Sequence, residues 1–140
     1  MRTTEDASAA AVLRETVLVV DDEVLVRMVI AGYLRDCGYR VIEAASAEEA
    51  RVVIEQDEEE AVKVVLSGVA TGGDQGGFAL AQWIRRRRPG CQVVLAGSPA
   101  RAAQAAGDIC EQGPMLGKPY EPQLVLDRIR RLMARRPPQA

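Results

Sequence analysis

Histidine is absent from the 140-residue sequence, and that absence removes a wide range of chemistry. No histidine base can activate a hydroxyl or thiol, no phosphohistidine can form, and a Cys/His zinc site cannot be built. Cysteine is scarce as well. Cys37, Cys91 and Cys110 are odd in number, far apart and without a CxxC pair, so they are expected to be small buried hydrophobes in a reducing compartment, without a redox role. Neither charge sign is in large excess, and a net charge of -2 gives no overall pull toward nucleic acid or a membrane surface. No stretch approaches the ~18 apolar residues that a membrane helix needs. The acidic start, MRTTEDASAAAVLRE, lacks the apolar run of a signal peptide, and the expected location is the cytoplasm.

What is present is an alternation. Short apolar runs rich in β-branched residues occur at 16–20 (TVLVV), 62–66 (VKVVL) and 92–96 (QVVLA), with weaker candidates at 40–44 (RVIEA) and 114–118 (PMLGK). Runs of this kind suit strands buried on both faces. Helical patterns lie between them. One spans 23–37 and stops at Gly38; another spans 47–56 and opens on the capping box Ser46-x-x-Glu49; a third spans 78–88 and stops at Pro89-Gly90. An alanine-rich pattern follows at 99–106, and 122–134 opens with proline in its first turn. Strict alternation implies right-handed crossovers, a parallel sheet and helices on both faces. One domain at 15–134 is expected, between an N-terminal tail at 1–14 and a C-terminal tail at 135–140, with no internal repeat.

In such sheets a ligand site forms where the strands end at their carboxyl side. The residues at those ends are Asp21 and Asp22, then Ser67 and Gly68, then Ala96, Gly97 and Ser98, and finally Lys118 before Pro119. Two adjacent carboxylates and a lysine make a small charged pocket whose oxygen ligands suit a hard cation such as Mg²⁺; alternatively the acids only end a strand and cap a helix. After the third strand the stretch GVATGGDQGG holds glycines 68, 72, 73, 76 and 77 and a single acid, Asp74. It is not a phosphate-binding loop of the Walker type, because Asp74-Gln75 stands where Lys-Ser/Thr is needed. GPMLGK at 113–118 is one residue short and is followed by proline. Ser67 and Ser98, without a histidine base, are expected to be hydrogen-bonding residues at strand ends.

VLVVDDEVLVRMVIAGYLRDCGYRVIEAASAEEA, GFALAQWIRRRRPGCQVVLAG and LGKPYEPQLVLDRIRRLM together resemble the receiver domain of two-component response regulators. The resemblance runs over about residues 15–133 and rests on the DD and KP signatures. It implies a flavodoxin-like α/β fold with a five-stranded parallel sheet, order 2-1-3-4-5, flanked by five helices. It also implies an aspartate at the end of the third strand that accepts a phosphoryl group from a histidine kinase, with Mg²⁺ held by the acidic pair. This sequence departs from that pattern in four places. Gly68 stands at the phosphoacceptor position, Ala96 replaces the threonine or serine that binds the phosphoryl group, and Met115 replaces the aromatic switch residue. Thr71, Gly72 and Gly73 replace the loop after the acceptor. Glycine has no side chain with which to attack phosphorus.

The expectation is therefore an atypical receiver that acts by phosphorylation-independent protein–protein contact, is not an enzyme, and retains Asp21, Asp22 and Lys118 as a pocket remnant with at most weak Mg²⁺ binding. No output domain follows the receiver-like region, so the chain either works alone or belongs to a larger protein. Phosphorylation at an unusual site, Asp74, is one alternative; a small-ligand or nucleic-acid binding module is another. Arg85 to Arg88 ends a helix pattern, where cations complement the helix dipole, and is expected to be a solvated face balanced by the acidic run at 57–60. Phe78 and Trp83 are assigned to the core or its rim. In the last helix Val125, Ile129 and Leu132 are expected to face the sheet. Leu124, Arg128, Arg131 and Arg135 are then left on an exposed face suited to a histidine kinase, another signalling protein or a second copy.

Overall fold

The run TVLVV has no polar face to spare, and all five of its residues are buried. They form β1 (Thr16–Val20), an interior strand of a parallel sheet. The computed structural model describes residues 15–69, 76–112 and 121–135. Within them the remaining elements follow in strict alternation up to the last two helices: α1 (Val24–Asp36), β2 (Arg40–Ala44), α2 (Ala47–Gln56), β3 (Val62–Gly68), α3 (Gly76–Arg87), β4 (Gln92–Ala96), α4 (Pro99–Gln112) and α5 (Pro122–Ala134). The described sheet has four strands in the order β2-β1-β3-β4, where a five-stranded sheet was expected. The fifth strand candidate, 114–118, lies outside the described residues.

Period-two alternation in the strands divides the interior into two cores. Val17, Val19, Val64 and Leu66 point to the side covered by α1, α4 and α5. Leu18, Val20, Val62 and Val65 point to the side covered by α2 and α3. A bulge makes both sets fit: Thr16 pairs with Val62 and Val17 with Val64, which leaves Lys63 as the extra, exposed residue.

Local signals explain most element ends. Ser46 Oγ accepts from the Glu49 amide at 3.1 Å and Glu49 Oε1 accepts from the Ala45 amide at 2.8 Å, a capping box displaced by one residue on its return arm. Gly38 ends α1 with φ 104°, a conformation that a side chain would oppose. Ser98 Oγ accepts from the Arg101 amide at 3.1 Å at the start of α4, and Ser67 Oγ donates to Gly68 O at 3.0 Å.

Several expectations are corrected. The alanine-rich pattern does not end at residue 106 but continues as α4 to Gln112. Val125 and Ile129 are buried, with Leu126, in the cluster that holds Val17, Val19, Val64 and Leu66 of the strands, as expected, and the helices they adjoin there are α1 and α4. Leu132 packs at the edge of the same cluster. Phe78 is exposed at 49%, since it lies on the solvent side of the stripe that carries Leu80, Ala81 and Ile84. Trp83 is at the rim, with the guanidinium groups of Arg51 and Arg87 at 5.7 and 5.0 Å from its ring. Arg88 is not part of a solvated face, for its side chain is 13% exposed and paired with Asp57. Cys37 and Cys110 are not isolated hydrophobes: the ends of α1 and α4 meet on one face of the sheet, and the two residues form a disulfide across a separation of 73. Beside it the Tyr39 hydroxyl donates to Ile109 O at 2.6 Å. Cys91 is free and buried, as expected.

Candidate functional site

Parallel strands bring their carboxyl ends to one edge, and register decides which residues meet there. Val20 pairs with Ser67, and Gly68 pairs with Ala96. The Val69 amide continues the ladder by donating to Ala96 O at 3.3 Å, and the Asp21 amide donates to Ala44 O at 3.1 Å. The chain then turns into α1 through Asp21, Asp22 and Glu23. Asp21 Oδ1 accepts from the Glu23 amide at 2.8 Å, a turn closed by the aspartate side chain. Glu23 in turn caps α1 by accepting from the Leu25 amide.

An arginine fastens this acidic turn from outside. Arg27 donates to Asp21 O at 2.8 Å and to Glu43 Oε1 at 3.2 Å, while Arg35 donates to the other Glu43 oxygen at 3.2 Å. Glu43 stands on β2, so the turn is tied to the neighbouring strand. Burial pushes the Asp21 carboxyl above its usual range; with the charges of Asp22 and Glu23 it outweighs the Glu23 amide hydrogen bond and Arg27, which act the other way.

The result is a cleft of about 160 Å³ lined by Asp21, Asp22, Gly68, Ala96, Ser98 and Met133, among others. One rim is acidic and the strand ends carry no functional side chain. The start of α3 packs against the same strand end, with the Gly77 amide donating to Val69 O at 2.9 Å. A Cβ on Gly77 would lie 2.8 Å from Val69 O and closer still to Gly68 O. Gly77 is thus required for the close approach of helix and strand, and the glycine-rich stretch has at this end a packing role.

The sequence candidates divide as follows. Asp21, Asp22, Gly68 and Ala96 are brought together. Lys118, Met115, Asp74 and residues 71–73 lie outside the described residues. Leu124, Arg128 and Arg131 are exposed on α5 as expected, but they border a separate groove of about 400 Å³ against Gly32 and Asp36 of α1. Met133 in the cleft was not anticipated, because its place there depends on how α5 crosses α1. Gly32 carried a legible signal, a glycine in mid-helix.

The donor set does not fit a divalent cation held by three carboxylates. Position 68 supplies none, one Asp21 oxygen is already engaged, and among the described residues no group of three or more His, Cys, Asp or Glu is placed to hold a metal.

The sequence pattern of the response regulator receiver domain matches residues 17–130. The chain belongs to that family. Over 123 residues the receiver is 31% identical to the transcriptional regulatory protein GltR of Pseudomonas aeruginosa, covering 86% of this chain and 49% of GltR. It therefore spans about half the length of that curated relative. The chemotaxis response regulator CheY4 of Vibrio cholerae superposes with a TM-score of 0.55 at 24% identity, over 85% of this receiver and 98% of that chain. The response regulator TrrA of Thermotoga maritima, solved in complex with Mg²⁺ and BeF, gives 0.52 at 26% identity, over 59% and 68%. The receiver's fold is thus the flavodoxin-like α/β arrangement, with a parallel sheet and, among the described residues, five helices. No helix among its described residues is long and apolar enough to cross a membrane.

Proposed function

We propose that this receiver signals by protein–protein contact without aspartyl phosphorylation, as a binding module and not as an enzyme. The observation that carries this reading is the pairing of Gly68 with Ala96 at the ends of β3 and β4. At the point where the family places a nucleophile beside a hydroxyl, this chain offers a hydrogen atom and a methyl group. Phosphoryl transfer depends on a positioned attacking oxygen and on groups that neutralise developing charge. Asp21 and Asp22 persist as a charged remnant, in which Asp21 stiffens the β1–α1 turn by accepting from the Glu23 amide and from Arg27. The partner is a histidine kinase or another signalling protein, or a second copy, met through the face of α5 that exposes Leu124, Arg128 and Arg131.

The test is incubation with acetyl phosphate, and separately with beryllofluoride, in the presence of Mg²⁺. Intact mass is expected to stay unchanged and beryllofluoride to cause no shift in amide resonances. A stoichiometric acid-labile phosphate overturns the reading, and its loss in Asp74→Asn would assign the modification to that residue.

A further inference from the structure

Gly32 occupies the middle of α1, where glycine is less stable than alanine because it exposes backbone and has more freedom to lose. Close packing inside the chain does not require it, for a Cβ built there meets nothing within 4 Å. The open space above it is the groove between α1 and α5. A missing side chain at the floor of a groove lets another molecule come close to the helix backbone.

The walls say what kind of molecule. Asp36 and Asp127 contribute two carboxylates, Arg128 and Arg131 two guanidinium groups, and none of the four has an ion-pair partner among the described residues. A groove shaped for a ligand of one charge sign would carry the other; equal numbers of both suit a surface that pairs with itself. Met133, at the end of α5, shares the cleft with Glu23, at the start of α1, so the two helices run antiparallel. Asp36 then lies at the end of the groove nearest Leu124, and Arg131 at the opposite end.

We propose that two copies of this chain associate through this groove around a two-fold axis passing near Gly32. The inference rests on the reading that the receiver acts by protein contact, and it names the partner and the surface. A two-fold axis makes each patch meet its own copy in reverse. The α1 helices approach one another at Gly32, Asp36 of each copy faces Arg131 of the other, and the exposed Leu124, at 53%, is carried over the far end of the facing groove. One surface thus holds both a projecting apolar side chain and a recess.

Sedimentation velocity of the full chain from about 5 μM to about 500 μM tests this. The wild type is expected to shift from monomer to dimer over that range. Gly32→Leu, a good helix former that fills the recess, should remain monomeric with an unchanged circular dichroism spectrum. Arg131→Asp should weaken association about tenfold or more, and adding Asp36→Arg should restore most of the loss by re-forming the pair with reversed signs. A wild type that stays monomeric throughout overturns the inference while leaving the phosphorylation-independent reading intact, since that reading stands or falls on the acetyl phosphate assay. A dimer indifferent to Gly32→Leu and to charge reversal also overturns it.

Discussion

Removing the Asp57 carboxylate should destabilise this domain markedly. Asp57 caps the end of α2, and its two oxygens accept from the Ala61 amide at 2.9 Å, the Val62 amide at 2.9 Å and Arg88 Nη1 at 3.1 Å. Arg88 also donates to the carbonyls of Ile54 and Asp57. One pair of side chains thus closes the turn into β3 and pins the end of α3 to the end of α2. Both are largely withdrawn from water, at 11% and 13% exposure, so screening weakens the pair less than it would on an open surface. Asp57→Ala leaves the Ala61 and Val62 amides and a guanidinium short of an acceptor. Hydrogen bonds to charged groups contribute about 1.5–3 kcal/mol each, but water can re-enter at the turn, so about 3 kcal/mol is expected in total, and about half of that for Asp57→Asn. For a domain of this size the alanine variant should melt roughly 10 °C lower.

Burial alone would raise the Asp57 carboxyl, yet the Val62 and Ala61 amides and Arg88 hold it below its ordinary value of 3.8. A carboxylate with a depressed native value stabilises the fold fully above the unfolded value and loses that effect as pH falls through the native one. The stability difference between wild type and Asp57→Asn should therefore be constant from pH 5 to 8 and shrink below about pH 4. Urea denaturation followed by circular dichroism measures both quantities. A loss below about 1 kcal/mol for Asp57→Ala, or a difference that persists unchanged into acid, would refute the reasoning.

Gly77→Ala forces a methyl group against the backbone of Gly68 and Val69 and should cost about 2–3 kcal/mol in a thermal melt, whereas Gly32→Ala should be neutral or stabilising. The Cys37–Cys110 disulfide closes a loop with a separation of 73 residues, so reduction should lower stability by about 4 kcal/mol in paired urea titrations. Alkylation of the unfolded, unreduced protein should label only Cys91. Mg²⁺ titrated into the labelled protein should produce no saturable shifts at Asp21 and Asp22 below about 1 mM, given the missing carboxylate at position 68; submillimolar saturation would show that the remnant still assembles a cation site.

How much of this was legible depends on the range over which each signal acts. The β-branched runs at 16–20, 40–44 and 92–96 are strands with those same limits, and the helices at 47–56 and 122–134 also stand as expected, because hydrophobic period and caps are local properties. The meeting of Asp21, Asp22, Gly68 and Ala96 follows from topology alone: parallel strands in alternation with helices share one carboxyl edge. What a helix packs against is not local. The period of Val125 and Ile129 shows that a face is buried but not that α1 and α4 are the helices beside it, and nothing about Cys37 announces Cys110. Arg88 looks like its three arginine neighbours; only the turn of α3 that aims it at Asp57 removes it from solvent. The alanine-rich helix, expected to end at residue 106, continues through Gly107 to Gln112, and at that glycine Pro122 of α5 comes so close that an added Cβ would clash.

The disulfide divides the chain into a covalent ring, residues 37–110, and two segments outside it. The ring holds β2, α2, β3, α3, β4 and most of α4, whereas α5 lies beyond it and packs chiefly on α1 and α4. Among the described residues, undocking α5 therefore breaks no strand pairing and opens no covalent closure, which makes it a low-cost partial unfolding. Amides of α5 should exchange with solvent through that opening, while those of β1 wait for global unfolding. A ligand seated across α1 and α5 would close this route, so slowed exchange along α5 would report occupancy of the groove even where the average structure does not change.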